Sequence, residues 1–481
     1  MLYKGSRFTH CDLIVVVKMQ VEFIKSRKGG DILCLNSYRL HLNYRRNGKI
    51  YWKCLHTGCK TTAISENGEV LSSKGTHSHP PEQRQIEVKK AVESAKQLAK
   101  ENAFLPMKRA YRQAFQEVDL NNEEIMDEMP SFSKYKSSMY RARSSRLPPL
   151  PHTRAEVELN GEWTQTKDGR NFIISNDGDV DRLILFGTQQ NLRFLCDADT
   201  IYMDGTFQIA PEMFQQVYSI HVMVMGAMIP VCICLLPFKN TETYIRMFNL
   251  LQTACQRHGL QFLPSAVFID FESAVISAVS QLFPVARIRG CMFHYSQAIW
   301  RKVQNLGLTN RYRDDASFNR VVRRALALPL LPMHEIEDVW LTALNEIDNN
   351  DNLAIAFTDY ITTTWVDPLI AQFPVEMWSH YETLHGIRTT NHLESWHNKV
   401  RRELDRAHPN VFRVIELFKE QQEDTEHTIR LLRAGGPAPK QRPKYRVITE
   451  RLVRLKQRLQ DGDISAYNYS GAIGGIMTFH F

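Results

Sequence analysis

The chain has 481 residues and a mass of 55.8 kDa, a length that predicts two to four domains. Hydrophobic residues make up 43% and charged residues 23%, ordinary globular usage that excludes a collagen-like, a wholly disordered or a disulfide-dense chain. Nine cysteines, an odd number unevenly spread, do not build a disulfide framework. The apolar runs at residues 13–17 and 228–238 are too short for a secretory core or a membrane span, so a soluble protein in a reducing, intracellular setting is expected.

The net charge of +8 divides unevenly: residues 1–150 carry +11, residues 396–460 carry +8, and residues 151–395 carry −9. Basic arms suit a polyanion, because each phosphate they neutralise releases counterions. An acidic centre is a poor DNA groove unless cations sit in it.

In chain order, residues 1–19 lack a pattern and read as an uncertain extension, with Met19 as an alternative start. Residues 20–84 read as a β-rich module with strands at 32–35, 38–44, 50–53, 63–65 and 70–73, and the pairs Asn47-Gly48 and Asn67-Gly68 predict hairpin turns. Residues 85–150 read as a helical, basic, DNA-binding region. A helix over 85–128 aligns Ile86, Val88, Ala91, Val92, Ala95, Leu98 and Ala99, and a second over 134–146 carries Arg141 and Arg143. The proline run at 147–151 is a stiff boundary.

From residue 181 the pattern is α/β. Strands are expected at 200–207, 217–225, 230–236, 266–269 and 286–290, and helices at 241–258 and 272–282. Residues 294–380 read as almost entirely helical, a helix follows at 390–404, and a basic helical segment extends to Arg458. Residues 435–443 read as loop and residues 461–481 as disordered.

Two constellations carry chemistry. Cys54 and Cys59 are followed by His77 and His79, two thiolates and two imidazoles that complete a tetrahedral zinc shell. The module is too small for an adequate core, and a structural zinc contributing roughly 10–16 kcal/mol decides whether it folds. Cys34 and His56 are rival ligands. The His77-Ser-His79 spacing argues against the ββα finger, and on a strand the two imidazoles would face the same side. The second constellation is acidic: Asp204 in an apolar strand before Gly205, and Asp270 at the end of another strand. Carboxylates at strand ends, with no Lys or Arg adjacent, suit a hard divalent cation, Mg²⁺ or Mn²⁺, although N-caps and surface turns are the plainer reading. Glu394 and His397, three apart, share a helix face with Asn391 as a candidate cap.

The segment "SYRLHLNYRRNGKIYWKCLHTGCKTTAISENGEVLSSKGTHSHPP" resembles a FLYWCH-type zinc finger through Phe23, Leu33 or Leu35, Tyr38, Trp52, Cys54, Cys59, His77 and His79. Ser37 and Leu40 depart from it, standing where the family usually has glycine and an aromatic. The resemblance implies a module that binds DNA or protein, and Arg39, Arg45, Arg46, Lys49, Lys53 and Lys60 favour DNA.

Five ordered blocks resemble the transposases of Mutator-like elements: "MDGTFQIAPEMFQQVYSIH", "IPVCICLLPFKNTETYIRMF", "VFIDFESA", "FPVARIRGCMFHYSQAIWRKVQNLGL" and "RTTNHLESWHNKV". The resemblance implies an α/β RNase H-like catalytic core with an all-α insertion, beside the small N-terminal β-rich zinc-binding module. Residues 151–300 would form the first part of the core, 301–385 the insertion, 386–435 the last part carrying the glutamate, and 436–481 a basic then disordered tail. It implies an Asp-Asp-Glu triad, Asp204, Asp270 and Glu394, holding two magnesium or manganese ions, with Cys291 and His294 as a further family motif and His397 close by. Thr390 or His392 replaces a second asparagine, and no cysteine follows Cys291, so the zinc knuckle of some relatives is absent.

The expected function is a DNA transposase that cleaves transposon ends and transfers strands. The alternative is a domesticated, DNA-binding transcriptional regulator without catalysis. Expected partners are double-stranded DNA (terminal repeats and target) and further copies of the chain, as a dimer or higher oligomer. Lys399, Arg401, Arg402 and Arg406 would meet phosphates. Trp300, Trp365, Trp378 and Trp396 are candidates for stacking on bases, although helical core packing is the commoner role. A nuclear location is expected, with a weak basic signal at residues 440–446.

Overall fold

The computed structural model describes residues 21–26, 29–102, 104–116, 131–348, 350–383, 391–404, 407–439 and 443–476. The expected extension at 1–19, the end of the first basic helix at 117–130, Thr390, Arg406 and residues 440–442 of the basic signal lie outside the described residues, as do the side chains of Asn391 and Lys444. The chain divides into two units, Met1–Pro149 and Leu150–Phe481.

In the first unit, strands β1 (Val21–Lys25), β2 (Asp31–Leu35), β3 (Tyr38–Arg46), β4 (Lys49–Cys54), β5 (Thr62–Glu66) and β6 (Glu69–Lys74) form one antiparallel meander in sequence order. Its turns are set by residues with positive φ: Asn36 and Ser37, Asn47 and Gly48, Asn67 and Gly68. This is the type I′ requirement of two-residue hairpins. Ser37 sits at φ 67°, a conformation that glycine adopts at less cost. Leu40 is buried with Leu33, Leu35, Trp52 and Ala63 in a small core, so an aliphatic side chain fills the place expected for an aromatic. Helix α1 (Gln83–Glu101) seats Ile86 against Ile24, Ile32 and Cys34. Helices α2 (Met107–Gln116) and α3 (Phe132–Ser144) pack on α1 through Ala91, Ala95, Ala110, Phe115 and Met139.

The second unit is built on strands β7 (Ile173–Asp177), β8 (Leu183–Phe186), β9 (Thr200–Thr206), β10 (Gln216–Val224), β11 (Ala227–Leu236), β12 (Ala266–Ile269) and β13 (Arg287–Gly290). Their order across the sheet is β13-β12-β9-β10-β11-β8-β7. Strand β12 is parallel to both β9 and β13, and every other pair is antiparallel. The apolar run that includes residues 228–236 is β11, a central strand buried on both faces. Its Pro230 sits at a register shift opposite Ile220 and His221, where the missing N–H is tolerated.

One face of the sheet is covered by α4 (Gln189–Asp197), α5 (Thr241–Arg257) and α6 (Ser273–Leu282), whose Leu192, Tyr244, Met247, Phe248, Val275 and Val279 join Met203, Tyr218 and Ile220 in the core. The helical body follows β13: α7 (Met292–Asn305), α8 (Thr309–Asp314), α9 (Ala316–Ala327), α10 (Ile336–Leu344), α11 (Asn352–Ile361) and α12 (Val375–Trp378). Helix α7 begins before residue 301, so the expected start of the insertion falls inside it. Trp365 and Trp378 are fully buried around Tyr295, core side chains rather than platforms for bases. After α12 the chain returns to the sheet. His380 Nε2 lies 2.9 Å from the Gly290 carbonyl, and Arg289 donates to the Ser379 carbonyl at 3.0 Å.

Helices α13 (Asn391–Arg402) and α14 (Val411–Arg433) cover the other face, with Leu393 against Tyr202 and Phe268 and Phe418 against Phe186. The basic helical segment expected to reach Arg458 is α15 (Pro443–Gln460), whereas the stretch expected to be disordered from residue 461 is instead helical over α16 (Ala466–Ile476). Tyr469 and Ile473 are buried, and a Cβ on Gly474 would stand 2.9 Å from Arg323 Cβ, so that glycine permits close helix approach. Tyr467 caps the Arg324 guanidinium at 3.8 Å, and both residues engage Glu346.

Candidate functional site

In the first unit, Cys54 ends β4 and Cys59 follows in a turn, with the Cys59 N–H donating to the His56 carbonyl. Their Sγ atoms meet imidazole nitrogens: Cys54 lies 3.2 Å from His79 Nε2, and Cys59 lies 3.5 Å from His77 Nδ1. All four donor atoms lie within 4.8 Å of one another. Ligands about 2.0–2.3 Å from a tetrahedral zinc are separated by roughly 3.5 Å along each edge, so the spacing suits that ion. Hydrogen bonds to Thr61 and to the Ser78 backbone hold the Cys59 thiol down at about 5, favouring the thiolate that a metal requires. His79 Nδ1 lies 3.0 Å from the Pro80 carbonyl, fixing the ring with Nε2 toward the sulfur. Tyr38 stacks on His77 at 3.6 Å and His56 stacks on His79 at 4.1 Å.

His56 is therefore a wall of the site, and Cys34 is buried elsewhere, its thiol pushed up to about 11 chiefly by burial. The strand geometry expected for His77 and His79 is corrected: β6 ends at Lys74, and the two rings converge edge-to-face from a loop, through different nitrogens.

The basic residues of this unit separate into two kinds. Arg45, Arg46, Lys53 and Lys60 are exposed and Lys49 is half-buried; all but Lys60 lie on the β3–β4 hairpin, where Tyr44 stacks on Tyr51 at 4.3 Å. Arg39 is instead engaged by Glu82, with Nε 3.1 Å and Nη2 3.0 Å from its carboxylate, joining β3 to the start of α1. Arg143 donates to the Leu105 carbonyl, and Arg141 is exposed on α3. Arg39 and Arg143 therefore each have a structural partner within the unit.

In the second unit, Asp204 lies in β9 opposite Ser219 of β10. Strand β12 runs beside β9 with Phe268 paired to Tyr202, so Asp270 follows on the next strand two residues beyond that pair, as Asp204 does on its own. Side chains two apart share a face, which puts Tyr202, Asp204 and Phe268 toward α13. Leu393 of α13 docks on Tyr202 and Phe268, and Glu394 is its neighbour.

Asp204 is buried at 5% exposure, and its Oδ1 accepts the Gly205 N–H at 2.9 Å. A Cβ at position 205 would stand 2.6 Å from Gln216 Oε1 and 3.2 Å from Tyr218 Cδ2, so a side chain there would displace Gln216. His397 Nδ1 lies 3.4 Å from Asp204 Oδ2. Asp270 Oδ1 and His294 Nδ1 are buried without a hydrogen-bond partner among the described residues.

The electrostatics link these groups. Burial pushes Asp270 up, with Asp204 adding to the rise and His294 opposing it. Burial, again with Asp204, takes Glu394 to about 7 against the opposing charge of His294. Burial would discharge His294, but Cys291, Asp204 and Asp270 outweigh it and lift the imidazole to about 10. Beyond Asp270, Glu272 accepts from Tyr244 at 3.0 Å and pairs with Lys239 at 3.1 Å, and Gln216 donates to the Tyr244 hydroxyl at 2.7 Å. Among the described residues the set gathered within 4.8 Å is the Cys54, Cys59, His77 and His79 group; the three acids are spaced more widely.

Lys399 pairs with Asp424 at 2.5 Å, Arg401 donates to Gln208 at 2.7 Å, and Arg402 is exposed. Ser219, Gln216, Tyr244, Glu272 and His380 were not singled out by sequence reasoning. Ser219 and His221 carried a usable signal, two polar residues interrupting one face of an otherwise apolar strand. A cavity of about 580 Å³ near the start of α4 and the end of α5, lined by Arg170, Arg193, Arg257 and His258 among others, contains none of the acids.

Comparison with known families finds two matches, each to one segment of the chain. Residues 200–298 match the MULE transposase domain, and residues 23–79 match the FLYWCH zinc finger domain. The MULE match spans Asp204, Asp270, Cys291 and His294 and ends before Glu394; the FLYWCH match spans all four zinc-type ligands. No curated protein matches the chain. No helix among the described residues is long and apolar enough to cross a membrane. The MULE and FLYWCH matches suggest a transposase-related, DNA-binding protein, and the Cys/His group fits a structural zinc.

Proposed function

We propose that the chain is a DNA transposase whose second unit is an RNase H-like nuclease core, with α7–α12 as its insertion, and whose catalytic acids are Asp204, Asp270 and Glu394. The observation that carries this reading is the buried Oδ1 of Asp270, without a hydrogen-bond partner among the described residues and within the influence of the Asp204 charge. An ionised carboxylate left unpaired in such surroundings costs several kcal/mol, which a bound cation offsets. The donor set is all oxygen, as Mg²⁺ or Mn²⁺ prefers. Asp204, Asp270 and Glu394 would hold such ions.

When bound, such ions lower the pKa of the attacking water or 3′-hydroxyl and take up charge on the leaving oxygen. The chain's own residues do the arranging. Gly205 N–H and His397 orient the Asp204 carboxylate. Leu393 seats the helix that carries Glu394, and His294 supplies a positive charge among the acids. Exposed Arg45, Arg46 and Lys53, with half-buried Lys49 beside them, would hold transposon-end DNA, with Lys399, Arg401 and Arg402 near the cleaved strand. Nuclear action and assembly of two or more copies on the element ends belong to the same proposal.

The test is cleavage of a plasmid carrying candidate terminal repeats, in Mg²⁺, by the wild-type protein and by Asp204→Asn. Cleavage by the wild type and its loss in the variant support the transposase. DNA binding without metal-dependent cleavage in the wild type contradicts it and favours the domesticated regulator.

A further inference from the structure

We infer that His397 is a positioning residue that holds the Asp204 carboxylate in place relative to Glu394, an inference that rests on the acid-site reading above. The imidazole is buried at 9% exposure between α13 and the sheet. Nδ1 stands 3.4 Å from Asp204 Oδ2, and Nε2 stands 3.2 Å from Ser219 Oγ. The Ser219 hydroxyl is also 3.3 Å from the Asp204 carbonyl. Asp204 and Ser219 are cross-strand partners, so the ring is fixed against two adjacent strands at once.

The Asp204 carboxylate is thereby met at both oxygens, Oδ1 by the Gly205 N–H at 2.9 Å and Oδ2 by His397 Nδ1 at 3.4 Å. Contacts at both oxygens restrict the turn of the carboxylate more than one would. The same ring sets the helix. His397 lies four residues after Leu393, the apolar anchor on Tyr202 and Phe268, and three after Glu394, so all three share one helix face. Helix α13 is seated by an apolar contact and a polar one a turn apart, with Glu394 beside the first. Trp396 packs edge-on against the buried His221 at 5.1 Å and limits rolling of the helix. The polar anchor couples the position of one acid to the orientation of another.

The test compares two substitutions in the full chain. In His397→Asn the amide nitrogen falls near the position of Nδ1 and keeps the donor to Asp204. In His397→Gln the side chain is closer to imidazole in volume but carries its donor toward Ser219. Mn²⁺ affinity, read from the free-ion signal in electron paramagnetic resonance, should weaken about 10–100-fold in His397→Gln and stay within about threefold of wild type in His397→Asn. The kcat for strand cleavage should fall with it, and KM for DNA should not move. Ser219→Ala, a milder change that keeps the fold, should weaken Mn²⁺ several-fold. A ring that only fills space predicts the opposite order, Gln better than Asn. That result, or equal affinity in all three variants and the wild type, overturns the positioning role while leaving the acid site intact. A wild-type protein that binds no Mn²⁺ overturns both.

Discussion

Asp270 follows the strand that runs parallel to and beside the strand of Asp204, and the register pair Phe268 and Tyr202 sets the two carboxylates at matching positions. Adjacent parallel strand ends are where α/β sheets place ligands. Neither acid has an arginine or lysine ion pair among the described residues, and the charge of Asp204 adds to the burial that raises both Asp270 and Glu394. Asp270→Asn removes one of the repelling charges without changing shape. The metal-free variant should unfold at the same temperature as the wild type or a few degrees above it at pH 8, while cleavage falls by several orders of magnitude. Differential scanning calorimetry with a cleavage assay checks both halves; a large loss of stability would mean that the carboxylate holds the fold.

Glu394 predicts a pH dependence. Its folded pKa is raised to about 7, so the metal-free folded protein keeps a proton that the unfolded chain loses near its ordinary value of about 4.3. The folded state therefore binds more protons across that window, and metal-free stability should decline as pH rises from about 4.5 to 7. A divalent ion displaces that proton, so Mn²⁺ affinity should rise up to about tenfold per pH unit below 7 and level off above it. Titrations at pH 6, 7 and 8 measure this. Affinity independent of pH would remove Glu394 from the ligand set.

Zinc should decide whether the β1–β6 sheet folds. A structural site contributes roughly 10–16 kcal/mol, more than so small a core supplies. Chelation, or Cys59→Ser, should release Trp52, which is buried at 2% exposure and donates to Ser65 Oγ at 2.7 Å. Its fluorescence should shift to the red while the separate unfolding of the second unit is unchanged. Metal analysis should give one zinc per chain, and a folded sheet after chelation would contradict a structural role.

The basic residues of the finger should divide as their contacts do. Arg45→Ala with Arg46→Ala should weaken DNA binding and lower its salt dependence by about two phosphate contacts, leaving the melting temperature unmoved. Arg39→Ala should instead destabilise the finger by about 1–3 kcal/mol, because Glu82 loses its partner. Fluorescence anisotropy at several salt concentrations, with thermal melts of both variants, distinguishes the two effects.

What was readable in the sequence was local. Alternating apolar residues and Asn-Gly pairs gave the β2–β6 meander, and the apolar runs around Asp204 and Asp270 gave β9 and β12. Cys54, Cys59, His77 and His79 were readable as a donor set, but not the loop that brings the histidines together, since its path is set by packing on Tyr38 and His56. The edge strand β7 was missed because Ser175, Asn176 and Asp177 break its alternation. Helix α16 was missed because its glycines argue against a helix, and tertiary contacts of Tyr469, Ile473 and Gly474 override that preference. Arg39 looked like its basic neighbours because its partner Glu82 is 43 residues away. Ser219 acquires meaning only through the register that sets it opposite Asp204.

The most direct measurement of the central claim is Mg²⁺-dependent strand cleavage by Asp204→Asn beside the wild type, on DNA bearing the terminal repeats. Wild-type cleavage that falls by several orders of magnitude in a variant with unchanged melting temperature and DNA affinity is the predicted result. Equal cleavage by the two proteins would contradict an active site built on these acids.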